Sequence, residues 1–95
     1  MSITITNKQA IQLAKKVKLN LKLFPLKLWK FGLQVELEHG TINPHTNVTN
    51  NDLILTAKIA LAHIIEYPDY YQRLKIMEQE AKEYWKNKEK PILIT

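Results

Sequence analysis

The chain has 95 residues, 45% of them apolar and 24% charged, and it contains no cysteine. This length fits one domain, which buries only about 60–65% of its unfolded surface and needs a few long elements to do so. The composition excludes wholesale disorder, a collagen repeat, a disulfide scaffold, a thiol nucleophile and a thiolate metal site. No run nears the roughly 18 apolar residues of a membrane span, and Met1 to Thr6 lacks the pattern of a secretion leader.

The net charge of +5 hides a division. Before Glu36 there are seven lysines and no acid, whereas from Glu36 onward seven basic residues face nine acids. A basic half of this kind attracts nucleic acid, anionic lipid or an acidic protein, or is neutralised by packing against the acidic half. The basic set is all lysine. Arginine is the better fork for guanine and phosphate, so sequence-specific DNA reading is not expected.

The pattern predicts an all-α fold of four helices, over about residues 7–18, 25–39, 50–66 and 68–87, with short extended ends. Ile3 and Ile5 at one end and Pro91 to Thr95 at the other could pair as a ribbon or lie on the helices. Thr6-Asn7-Lys8-Gln9 fits a capping box that starts the first helix. Its inner face is Ala10, Leu13, Ala14 and Val17. Leu19, Leu21 and Leu23 have period two and predict an extended connector with leucines turned inward.

Pro25 suits the first turn of the second helix, where Leu26, Trp29, Leu33 and Leu37 form one stripe and Leu28, Phe31 and Val35 another. Gly40 fits the C′ position that ends it. A loop rich in Asn and Thr follows, with Thr49 or Asn50 expected to cap the third helix. That helix is the most apolar and is predicted to be central, with Ala57, Ala60 and Ala62 allowing close approach. Pro68 ends it near Glu66 and opens the fourth. There, Tyr70, Leu74, Met77, Ala81 and Tyr84 make an inward stripe with Tyr71 and Trp85 at its edges.

Polar residues gather at three helix ends. Glu36 and His39 are three apart and share a face, as do His63 and Glu66. With Glu38, these residues could hold one divalent cation such as zinc, manganese or iron. The alternative is a packed polar network that includes Asp69, Tyr70 and Tyr71. Glu36 and Glu38 lie where the helix dipole disfavours negative charge, so a positive partner is expected. No serine sits in a nucleophile-like setting and two glycines cannot cradle a phosphate, so the residues lean against an enzyme.

The segments Val35-Glu36-Leu37-Glu38-His39-Gly40 and Pro68-Asp69-Tyr70-Tyr71, with His63 to Glu66 between them, resemble a family of small uncharacterised helical proteins of bacteria, phages and large DNA viruses. The resemblance covers about residues 30 to 80. It implies that the helix-end cluster is the family's characteristic feature and supplies no activity. The lysine-rich first 30 residues fall outside it.

Ranked first is a non-enzymatic binding or structural module, phage- or virus-encoded, that acts through protein contacts and requires no cofactor. Second is a metal-binding domain on Glu36, Glu38, His39, His63 and Glu66. Third is non-specific nucleic-acid binding led by Lys15, Lys16, Lys22, Lys27 and Lys30. An amphipathic membrane contact through Leu19 to Leu33 ranks last. The expected location is intracellular: cytoplasm, or host cell or virion if viral.

Overall fold

The first helix starts where the capping box places it. In a computed structural model that describes residues 3–93, Thr6 Oγ1 accepts from the Gln9 N–H, and the Gln9 side chain accepts from the Thr6 N–H. Helix α1 then spans Asn7–Val17, α2 Leu26–Glu36, α3 Leu53–Glu66 and α4 Tyr70–Trp85. One 3₁₀ turn, Leu37–His39, prolongs α2. The fold is all-α, and no strand occurs among the described residues.

Helices α2 and α3 share the centre, each packed against the other and against α1 and α4. Ala57 and Ala60 are fully buried on the inner face of α3, so the neighbouring backbones approach closely; Ala62 faces outward. The core gathers Ile5, Leu13, Trp29, Leu33, Leu37, Ile64 and Tyr71 around those alanines. Trp29 is its largest member and fully buried, and its indole N–H donates to the Ala10 carbonyl at 2.8 Å. An aromatic of this size can be buried only because its polar edge finds an acceptor.

Several connections differ from expectation. Residues 19–24 do not run extended: the Asn20 carbonyl accepts from Leu23 and Phe24, and its side chain accepts from the Lys22 N–H. Asparagine closes a local turn this way, which overrides the period-two pattern and leaves Leu23 84% exposed. Pro25 caps α2 from outside it, and does not form its first turn. The cap of α3 is Asp52, whose carboxylate accepts from Ile54 and Leu55; neither Thr49 nor Asn50 serves. Asn50 and Asn51 take φ of 51° and 63°, a conformation asparagine tolerates.

Gly40 closes the 3₁₀ turn, but at φ −94° and not in the left-handed conformation expected of a C′ glycine. Its small size is what the site uses. A β-carbon there would meet the side-chain oxygen of Asn51, which accepts from the Thr41 N–H while the Asn51 amide donates to Thr41 Oγ1 at 2.7 Å.

The two ends do not pair among the described residues. Residues 3–5 lie extended on α2, held by the Gln34 side chain, which accepts from the Ile5 N–H and donates to the Ile3 carbonyl. Ile92 and Leu93 are exposed, and Ile94 and Thr95 lie outside the described residues. On α4 the buried residue is Tyr71, placed at the edge by the sequence reading. Met77 and Tyr84 of the expected stripe are each 57% exposed. The reason is length: α4 makes its contacts with α2 and α3 near its start and then outruns them, in a domain 43 Å long and 23–26 Å across.

Candidate functional site

Proline positions the cluster. Pro68 forces Tyr67 into extended geometry, at φ −156° and ψ 104°, so α3 stops and the chain reverses into α4 within three residues. The turn sets Tyr70 and Tyr71 beside His63, in the last turn of α3. Glu36, at the end of α2, is only 3% exposed and projects into the same place.

The Tyr71 hydroxyl donates to Glu36 Oε1 at 2.7 Å. His63 Nε2 lies 3.7 Å from that oxygen, and His39 Nε2 lies 3.9 Å from Glu36 Oε2. Thus both carboxylate oxygens face an imidazole that carries a positive charge when protonated, which meets the demand for a positive partner at a helix C-terminus. Tyr70 stacks flat on His63, with ring centres 4.1 Å apart and planes 6° apart. Tyr70 and Tyr71 meet edge to face at 5.0 Å. No buried side-chain nitrogen or oxygen among the described residues lacks a partner.

Burial and the hydrogen bond to Glu36 push the Tyr71 hydroxyl well above the ordinary tyrosine range. It therefore stays a donor under any physiological condition. Glu38 is also raised, first by burial and then by the negative charges of Glu78 and Glu36, with His39 opposing.

Of the five candidate metal ligands, the structure brings together Glu36, His39 and His63. Glu66 is exposed, and among the described residues neither it nor Glu38 joins an ion pair. Among the described residues, no group of three or more His, Asp or Glu side chains is placed to hold a metal ion. Of the candidate network residues, Tyr70 and Tyr71 take part. Asp69 does not: it is exposed, and its side chain makes no capping bond to α4. The sequence reading missed Gln34 and the Tyr71–Glu36 pairing, which join residues 31 and 35 positions apart.

Gly32 explains how Tyr71 gets so close. A β-carbon at position 32 would lie 2.7 Å and 2.9 Å from the Tyr71 ring. Gly32→Ala removes a helix-interior glycine, worth about 1 kcal/mol in isolation, yet drives the ring off Glu36. The expected net is a loss of about 1–2 kcal/mol in urea denaturation, because overpacking costs about 1–3 kcal/mol. A stabilised variant would show that the ring has room to move.

Three of the four helices and the 3₁₀ turn meet at a carboxylate, a phenol and two imidazoles in a small all-α domain. The chain belongs to the family described as Protein of unknown function (DUF5661), whose model matches residues 6–80. No curated protein and no solved structure matches the chain. The family match begins at the cap of α1, so the lysine-rich first helix lies within it, contrary to the resemblance read from residue 30 onward. It ends inside α4.

Proposed function

We propose that this chain is a non-enzymatic binding module that works through protein contacts. The observation that supports the reading is a groove along α2 with an apolar floor and lysine rims. Leu26, Phe31 and the stem of Lys30 are half-buried there, and Lys27 stands at the edge. Among the described residues, both ion pairs within 4.0 Å are histidine contacts to Glu36, so none neutralises a lysine. The basic half therefore does not spend its charge on the acidic half. An apolar centre within a polar, solvent-accessible rim is the general anatomy of a protein interface. The abundance of Lys, Ile and Asn suits an AT-rich genome, a composition compatible with a phage or viral source. Among the described residues no helix is long and apolar enough to cross a membrane.

The test is photo-crosslinking from position 72, which lies on the same surface as Lys27 and Lys75, in the cells that express the protein, with the native lysines and the triple variant Lys27→Glu, Lys30→Glu, Lys75→Glu compared. One saturable, stoichiometric protein partner, lost in the triple variant at unchanged helix content, supports the reading. Equal crosslinking by both forms, or none by wild type, overturns it.

A further inference from the structure

We infer that the α2 groove takes an acidic amphipathic peptide segment, with apolar side chains on its floor and carboxylates on its lysine rims. This rests on the reading of the chain as a protein-binding module and names the chemistry of its partner. The groove has a volume of about 640 Å³ and is lined by Asn7, Leu26, Lys27, Lys30, Phe31 and Gln34. Past Lys27 and Phe31 it continues into a hollow of about 160 Å³ bounded by Leu28, Gln72 and Lys75.

Charge selects the occupant. No aspartate or glutamate lines either section, and α1 and α2 together hold no acid before Glu36. From α4 the hollow receives an amide and a lysine, Gln72 and Lys75. The Lys75 ammonium sits 5.8 Å from the centre of the Phe31 ring, drawn over its face by the ring quadrupole. Three ammonium groups thus border an apolar floor with no counter-charge in it. An acidic segment is attracted from a distance and a basic one repelled.

Shape and chemistry favour peptide over nucleic acid. Leu26, Lys27, Lys30, Phe31 and Gln34 fall on one face of α2 and run about 12 Å along its axis, the length of about two helical turns. That length suits the helix-in-groove mode, in which spaced apolar anchors fill a channel between helices. A single strand held by stacking would need aromatic faces in series, and a duplex held by its phosphates would gain nothing from an apolar floor. Phe31 is the one aromatic residue lining the two sections, and its ring meets Tyr71 edge to face at 6.4 Å.

The experiment titrates the full chain into a fluorescein-labelled peptide in which leucine and phenylalanine alternate with glutamate and aspartate at helical spacing. Polyglutamate and single-stranded oligothymidine of equal charge serve as competitors. The peptide is expected to bind at least about tenfold more tightly than either, with an affinity that falls with salt but persists at about 0.5 M, where the Debye length is short. Lys27→Glu with Lys75→Glu is expected to weaken binding by about a hundredfold, whereas Lys27→Arg with Lys75→Arg retains it. Both variants change only surface lysines, and circular dichroism verifies their fold. Equal binding by polyglutamate reduces the groove to charge alone, and equal binding by oligothymidine makes it a phosphate surface; either overturns the inference. So does no binding of the peptide. A crosslinked partner at position 72 that lacks such a segment overturns the inference while leaving the binding-module reading intact.

Discussion

Trp29→Ala is expected to destabilise the domain by about 3–5 kcal/mol, read as a fall in the urea midpoint at unchanged slope. A domain of this size has about 5–14 kcal/mol in total, so the variant stands close to its unfolding threshold. The reasoning is geometric. Trp29 is the largest fully buried side chain, and from α2 its N–H bonds the Ala10 carbonyl of α1. Truncation leaves a cavity in the core beside Ala10, whose methyl group cannot fill it. Trp29→Phe keeps most of the packing and loses the hydrogen bond, and is expected to cost about 1–2 kcal/mol. A loss below about 1 kcal/mol for the alanine variant would show that α1 is not anchored through this indole.

The elements whose signals are local were legible in the sequence. Thr6 and Gln9 are three apart and do what a capping box does, and Pro68 ends α3 through its own ring. The apolar run of α3 marked it as an inner helix, a place it shares with α2, although Ile54, Leu55 and Ile65 of that run are exposed. What failed was wherever a side chain competed with the pattern. Asn20 folded residues 19–24 into a turn, and Asp52 took the cap from Thr49, which is 2% exposed beneath the loop. Helix α4 has a regular stripe over its whole length, but the other helices reach only its beginning. No periodicity in a single helix reveals where its neighbours stop.

The cluster was half legible for the same reason. Spacing placed Glu36 with His39 on one helix, and chemistry demanded a cation for Glu36. That each carboxylate oxygen of Glu36 faces an imidazole, His63 or His39, and that the Tyr71 hydroxyl bonds this carboxylate, depends on how α2, α3 and α4 pack. Gly32 permits that arrangement, and only the packed structure gives this glycine a reason. The basic groove was legible as charge but not as shape. Lys27 and Lys30 were singled out from the charge division, whereas Lys75 joins them from another helix 45 positions on.

A double-mutant cycle on Glu36 and Tyr71 should return a coupling of about 1–3 kcal/mol, the range for hydrogen-bonded neighbours. Tyr71→Phe removes one donor from a buried carboxylate and is expected to cost about 1.5–3 kcal/mol. Glu36→Ala strands the hydroxyl and removes the carboxylate that faces His39 and His63, so its cost is expected to be at least as large. In the pair, Tyr71→Phe should cost little once Glu36 is gone. The alkaline limb gives an independent reading. The hydroxyl is pushed above the ordinary tyrosine range in the folded state, so the unfolded chain loses this proton first as pH rises. The stability it contributes is complete below pH about 10, the unfolded value, and is lost as pH climbs beyond it. Wild type should therefore fall more steeply than Tyr71→Phe above pH about 10, although both contain Tyr67, Tyr70 and Tyr84. EDTA should leave the midpoint of both proteins unchanged, because the hydrogen bond and the imidazoles satisfy the carboxylate. A midpoint that drops with EDTA and recovers with zinc or manganese would instead assign Glu36, His39 and His63 to a cation. Additive losses in the cycle would separate Glu36 from Tyr71 and leave Gly32 and the Pro68 turn as the features that seat α4.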